Sequence, residues 1–418
     1  MIKQFIFKDF KCFKDVRINV ENLTFLIGTN ASGKTNAVEG MMILSELMSG
    51  REISTVLDGS SNSEGLIRGG ARGCGRLGST SFTLGCLIQF EENVDLEYEI
   101  EIITENGIGV RNEFLTEIKG KKNRQMFAAK EPEADSGEII VSCNNGKKGK
   151  HPEINCMRSS AVISQIITKL STETLYGKQI VEYAKYIVSE LKQILYLNPD
   201  THRMRNYAAI NDNNLKVDAS NISSVLYRLC ENETQRSRLL GMLRDLPENK
   251  IVDIEFEKGP LNDVILFLKE QYGEKTETTD AGRLSDGTLR CLAILAALLS
   301  RRENSMIVVE EIDNGVHPGR CIKLIHTISE IARERNIDIL LTTHNAVMLN
   351  ALTKEDLAGV NVVYRKEDGD GEVISFFNIP DMPLMLTGGK LGDVFLNDRI
   401  LQFIKGTVPK ADFAWLEI

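Results

Sequence analysis

One short stretch constrains this chain more than any other. NLTFLI, residues 22–27, has the composition of a buried strand, and GTNASGKT, Gly28 to Thr35, follows with no spacer. NAVEGMMILSELM, residues 36–48, then places apolar side chains at 37, 38, 41, 42 and 44, the spacing of a helix. A loop of the form GxxxxGK[ST] between a strand and a helix has a physical purpose. Gly28 and Gly33 permit a tight fold that turns successive N–H groups inward. The start of the helix adds a field that favours an anion. Lys34 reaches β and γ phosphates, and the Thr35 hydroxyl suits Mg²⁺. Asn30, Ala31, Ser32 and Asn36 complete the cradle. The expected ligand is a nucleoside triphosphate with Mg²⁺. The bland alternative, a chance glycine-rich turn, leaves the flanking strand and helix unexplained.

A nucleoside triphosphatase also needs a carboxylate on the metal side and a group to orient water. MIVVEEIDNGVHPGR, Met306 to Arg320, ends a short apolar run in two glutamates. Glu310 is read as the metal-side carboxylate and Glu311 as the water-activating base. The alternative is an acidic strand end facing solvent. In IDILLTTHNAVML the design of strand, polar turn and helix repeats, and His344 stands where it can sense the γ-phosphate or polarise the water. A satisfied core or capping histidine is the competing reading. RLSDGTLRCLAILAALL, from Arg283, is a polar turn entering an apolar helix. Ser285, Asp286 and the backbone at Gly287 suit a γ-phosphate contact, but spacing alone makes Ser285 a helix cap.

The surrounding chain is consistent with an α/β protein. Alternating residues in 79–118 predict an antiparallel sheet. Residues 119–156 read as turns and polar runs, 158–196 and 221–246 as helical, and QYGEKTETTDAG as a loop. From 288 onward helices and strands alternate, so a large insertion divides one nucleotide-binding core. Three segments are expected: 1–118 with the phosphate loop and a β lobe, 119–250 as an inserted polar and helical segment, and 251–418 as the second half of the core. The glycine-rich patch 65–78, with Arg68, Arg72 and Arg76, is a solvated loop or an anion contact. The net charge of -9 argues against a generally basic nucleic-acid coat. Eight cysteines without a CxxC pair read as reduced thiols of a cytoplasmic protein, and neither a signal peptide nor a membrane span is expected.

The order of these motifs resembles ABC-type ATPases of the SMC/RecF/OLD group, most closely the stand-alone bacterial AAA15/AAA21 ATP-binding proteins. FIFKDFKCFKDVRINVENLTFLIGTNASGKTN looks like that family's opening, LSDG (284–287) is similar to the LSGGQ signature, and EEIDNGVHP is similar to EEPENGLHP. TTHN resembles the switch-histidine segment, SNISSVLYRL a helix before the signature half, and LGDVFL (391–396) the C-terminal tail. The resemblance implies a P-loop ABC-type head with an antiparallel β lobe and an inserted helical segment. It implies a head-to-tail homodimer, or a higher oligomer, in which Ser285 of one copy meets the γ-phosphate at Lys34 of the other. Four departures stand out. Glu310 replaces the usual metal aspartate, Ile312 the usual proline, and His317 the aspartate that contacts the partner copy. Asp286 stands where the commoner signature has glycine. Gln89 is a weak candidate for the Q-loop.

By this resemblance the chain is an ATP-driven switch that controls a separately encoded nuclease or toxin, as in Septu-like antiphage systems. The 74 residues after His344 (418 minus 344) leave no room for a C-terminal Toprim nuclease domain. The rival is a RecF-like repair ATPase that binds DNA through Lys121, Lys122, Arg124, Lys147, Lys148, Lys150, Arg203 and Arg205. An inert ATP-binding scaffold is disfavoured by intact Lys34 and Glu311, and a transporter ATPase by the long insert.

Overall fold

The computed structural model describes residues 1–60, 63–64, 67, 69–105, 107–133, 136–245, 251–382, 390–396 and 399–405. Arg68 of the glycine-rich patch lies outside the described residues. The architecture is α/β, with a large mixed sheet and interspersed helices. Two compact units divide the chain: Met1–Val20, Gly28–Ile194 and Val363–Val373 in the first, and Glu21–Ile27, Leu195–Val362 and Ile374–Ile418 in the second.

The first unit is built on antiparallel strands in the order Glu153–Met157, Glu138–Cys143, Lys122–Ala129, Gly109–Lys119, Val94–Ile103, Ser81–Glu91, Ile2–Phe10 and Phe13–Asn19. The buried rings of Phe5, Phe7, Phe10, Phe13 and Phe82 fill one part of its core. Helix Lys34–Leu47 approaches these rings so closely that a Cβ on Gly40 would come within 2.5 Å of Phe7. Helices Val162–Lys169 and Leu175–Lys192 also belong to this unit, and Phe90 meets Tyr183 and Tyr186 edge-on. The sequence predicts turns and polar runs over 119–156, where the structure has strands Lys122–Ala129, Glu138–Cys143 and Glu153–Met157. In Glu138–Cys143 only one side is apolar: the buried positions are Ile139, Val141 and Cys143. Polar side chains on the other side dilute the signal.

The second unit carries a parallel sheet in the order 360–362 (the start of strand Val360–Arg365), Leu23–Ile27, Asp338–Thr343, Met306–Val309 and Leu195–Leu197. Leu23–Ile27, Asp338–Thr343 and Met306–Val309 are buried at every position, as parallel strands covered on both faces must be. Ile27 pairs with Thr343, and Val309 with Leu341, so these strands end close together. Within this unit the residues that follow Asp338–Thr343 and Met306–Val309 are His344 and Glu310. Ligand-binding residues of α/β sheets collect at such carboxyl ends. Helices Asp286–Ser300 and Pro318–Arg335 belong to this unit. A smaller sheet pairs Ile251–Lys258, Asp263–Tyr272 and Ala208–Ala209. Lys275–Asp280, expected as a loop, is another of its strands; it is exposed or half-exposed throughout, so no apolar period marks it. No described helix is long and apolar enough to cross a membrane.

Candidate functional site

The phosphate loop is shaped by two positions with no room for a side chain. A Cβ on Gly28 would lie 2.3 Å from the carbonyl oxygen of Val363 and 2.7 Å from Ser32 Oγ. Gly33 has φ 122°, and a Cβ there would lie 2.9 Å from Cys12 Sγ. Ala31 is also left-handed, at φ 61°. Arg365 holds this bend: its Nε donates to Ala31 O at 3.1 Å and its Nη1 to Gly369 O at 2.8 Å. Sequence reading missed Arg365, because a hairpin arginine carries no motif.

Helix Lys34–Leu47 begins without a side-chain cap and with no acidic residue in its first turn. Its leading N–H groups are thus presented toward the loop with no carboxylate competing for them. Lys34 Nζ donates to Gly28 O at 2.7 Å and to Thr29 O at 2.9 Å, so the ammonium arches over its own loop. Ser32 Oγ is buried and has no hydrogen-bond partner. A buried unpartnered hydroxyl, an uncapped helix and a cation over the loop suit a chain of phosphates. Thr29, Asn30, Ala31 and Thr35 are exposed. Asn36 turns the other way, its Nδ2 lying 3.1 Å from Cys12 Sγ. Burial pushes the Cys12 thiol up, which keeps it neutral.

The carboxylate group lies in the second unit. Glu310 is half-buried just past Met306–Val309, and Glu311 is exposed. Glu311 has φ 46°, its N–H donates to Thr342 Oγ1 at 2.9 Å, and its carbonyl accepts from Asn314 N at 2.8 Å. Ile312 N donates to Thr342 O at 3.3 Å, which a proline there would forfeit. That accounts for the departure at this position. His344 Nε2 lies 3.6 Å from Asp313 Oδ2, and Asp313 Oδ1 accepts from Thr343 Oγ1 at 2.8 Å. Sequence reading missed Asp313, whose buried carboxylate faces the exposed His344 ring. His317 caps helix Pro318–Arg335, its Nδ1 accepting from Gly319 N at 3.2 Å.

The signature turn is in the same unit. Ser285 caps helix Asp286–Ser300, accepting from Thr288 N at 3.2 Å. Gly287 packs on the loop after Glu311: a Cβ there would lie 2.7 Å from Gly315 O. Buried Arg320 donates to Thr288 Oγ1 at 3.1 Å. Asp286 and Gly287 are therefore packed against Gly315, in the loop that follows Glu311.

Thr35 offers a hydroxyl in the first unit and Glu310 a carboxylate in the second, each an oxygen donor of the kind a hard cation takes. Among the described residues no three or more His, Cys, Asp or Glu gather into a metal cage. Mg²⁺ does not need one, since it keeps several waters and takes phosphate oxygens. Gln89 lies in Ser81–Glu91 with its carbonyl accepting from Tyr186 Oη at 2.9 Å. Of the basic residues weighed for DNA, Lys121, Lys122, Lys147, Lys148 and Lys150 are exposed. Arg124 is paired with Glu117, Arg203 with Asp218 and Arg205 with Asp286. All eight cysteines are free thiols.

Residues 171–350 match the family described as "AAA domain, putative AbiEii toxin, Type IV TA system". That stretch contains Ser285, Glu310, Glu311 and His344 and lies C-terminal to the phosphate loop. In fold the chain is similar to an SMC head crystallised with the C-winged helix domain of ScpA, at TM-score 0.51 and 14% identity, over 89% of this chain and 97% of that one. An SMC head with a coiled coil and joint from Pyrococcus yayanosii aligns at TM-score 0.45 and 10% identity, over 95% and 99% of the two chains. The SMC head domain from Thermotoga maritima aligns at TM-score 0.41 and 11% identity, over 90% and 98%. No curated protein matches in sequence. The stretch 171–350 is thus related to an ATPase domain, and the fold is SMC-head-like.

Proposed function

We propose that the chain is an ATP-hydrolysing, homodimeric switch of the cytoplasm that controls a partner effector, a nuclease or toxin, in bacterial antiphage defence. One observation carries the ATP reading: the uncapped helix at Gly33 with the Lys34 ammonium arched over the loop. On binding, Lys34 exchanges the carbonyls of Gly28 and Thr29 for β and γ phosphate oxygens, and Ser32 gains a partner. Thr35 and Glu310 would hold Mg²⁺, which neutralises charge on the phosphates. Glu311 accepts a proton from the attacking water, held in place by Thr342 and Asn314. His344, beside Asp313, is assigned to the γ-phosphate. Ser285, Asp286 and Gly287 serve the ATP bound by the partner copy. The family description supports the defence setting, and a related SMC head that binds a winged-helix domain supports control of a separate partner.

Direct DNA binding is the second reading, favoured by the exposed lysines 121, 122, 147, 148 and 150. Glu311→Gln tests the first. It is expected to bind ATP, to slow hydrolysis by at least about a hundredfold, and to accumulate as a dimer in analytical ultracentrifugation. A variant that stays monomeric with saturating ATP would refute the head-to-tail arrangement.

A further inference from the structure

We propose that Arg205 is a positioning residue for the signature turn, and that Asp286 stands in that turn to receive it. The inference rests on the reading of Ser285 as the group that meets the partner copy's γ-phosphate.

Arg205 follows helix Thr201–Met204, which Asp200 caps. Its Nη2 donates to Leu284 O at 3.0 Å and to Asp286 Oδ1 at 2.7 Å, and its Nη1 donates to Thr201 O at 3.0 Å. One guanidinium thus grips the residues on both sides of Ser285. Nη2 donates both its hydrogens to the turn while Nη1 anchors the same plane to Thr201, a fixed division that a freely rotating lysine ammonium lacks. The Arg205 hydrogen bond, then one from Thr201, hold the Asp286 carboxyl below the usual carboxylate range. Asp286 is 58% exposed, so the pair adds little to global stability. What it supplies is geometry. The commoner signature has glycine at this position, and glycine has no acceptor to offer. The departure at Asp286 is thereby explained by a partner 81 residues away.

Two further contacts give the grip a consequence. Asn198 N donates to Val217 O and Asp200 N to Asp218 O, at 2.8 and 2.9 Å, while Arg203 pairs with Asp218. Segment 198–205 is therefore laced to the residues that lead into helix Ile222–Cys230. Displacement of that segment reaches Ser285 through one side chain. On its far side the turn is fixed by the Ser285 cap and by buried Arg320 on Thr288. With three acceptors already, Arg205 is a poor candidate for a nucleic-acid phosphate contact.

The test compares Arg205→Ala, Arg205→Lys, Asp286→Ala and the double alanine variant by steady-state ATP hydrolysis. Arg205→Ala is expected to lower kcat about ten- to hundredfold, the cost of a misplaced group. KM for ATP should stay within about threefold, because nucleotide affinity resides in the phosphate loop. Arg205→Lys should recover only part of the loss. The double variant should be no worse than the poorer single, the mark of one shared interaction. In a Glu311→Gln background, Arg205→Ala should weaken the ATP-dependent dimer while dilute monomer binds a fluorescent ATP analogue unchanged. General unfolding would depress both. A kcat within about twofold of wild type, or effects that multiply in the double variant, would overturn the assignment. A parallel fall in analogue affinity would do the same. Lys34→Ala that still hydrolyses ATP would instead sink the parent reading, whatever Arg205 does.

Discussion

Two helices of this protein begin at motifs, and they begin differently. Lys34–Leu47 starts behind a glycine with no side-chain cap and no acid in its first turn. Asp286–Ser300 starts behind Ser285, which accepts from Thr288 N, and carries Asp286 in its first turn. The first leaves its positive end uncompensated by its own residues; the second supplies both a cap and a negative charge. An anion is favoured at the first and opposed by Asp286 at the second, unless a cation intervenes. Arg205 is such a cation. A third helix, Val162–Lys169, borrows its cap. The buried Glu113 carboxylate, from strand Gly109–Lys119, accepts from Val162 N at 2.7 Å and Ile163 N at 2.6 Å.

Three substitutions attack this contrast, beginning with the strongest. Lys34→Ala removes the only lysine of the open start, and its ATP affinity should fall at least about a hundredfold by calorimetry, as for loss of a charge-assisted phosphate contact. Retained affinity would mean that the loop and helix suffice alone.

Glu113→Gln tests the borrowed cap through pH. Burial pushes the Glu113 carboxyl up to about 7, against opposing pulls from Val162 N, Ile163 N and Tyr98. A raised carboxyl pKa in the fold means that folding favours the proton. Its contribution is complete below the unfolded value of 4.5 and is lost as pH rises through about 7. Wild type should therefore lose stability relative to Glu113→Gln between those values, by about 3 kcal/mol at most. Equal pH slopes in urea titrations would remove Glu113 from the account.

Ser285→Ala should cost about 1 kcal/mol of stability, the worth of an N-cap. Hydrolysis should fall further than stability explains, whereas nucleotide binding by dilute monomer should not change. If only stability moves, Ser285 is a cap and nothing more.

What could be read from the sequence was local. Gly28, Gly33 and Lys34 announce their loop because one stretch contains the strand, the bend and the helix. The buried strands Met306–Val309 and Asp338–Thr343 are apolar runs with nothing to hide them. Asp313 was overlooked because its relation to His344 depends on pairing of those two strands, Val309 opposite Leu341. The sequence alone sets Arg205 among basic residues suited to DNA, because its acceptors lie far along the chain. Strand Lys275–Asp280 is hidden for another reason: it pairs with Asp263–Tyr272 but buries little, so no apolar period marks it.

Glu311 carries a last consequence. At φ 46° its backbone is in a conformation that glycine takes readily and that costs a residue with a side chain about 1 kcal/mol. The fold would be steadier with no side chain there. A drift toward stability at this position would be a drift away from the carboxylate, so robustness and turnover pull on one residue in opposite directions. Thr342 and Asn314, which tether the peptide groups of Glu311, are what keep that conflict from being resolved by the backbone simply relaxing.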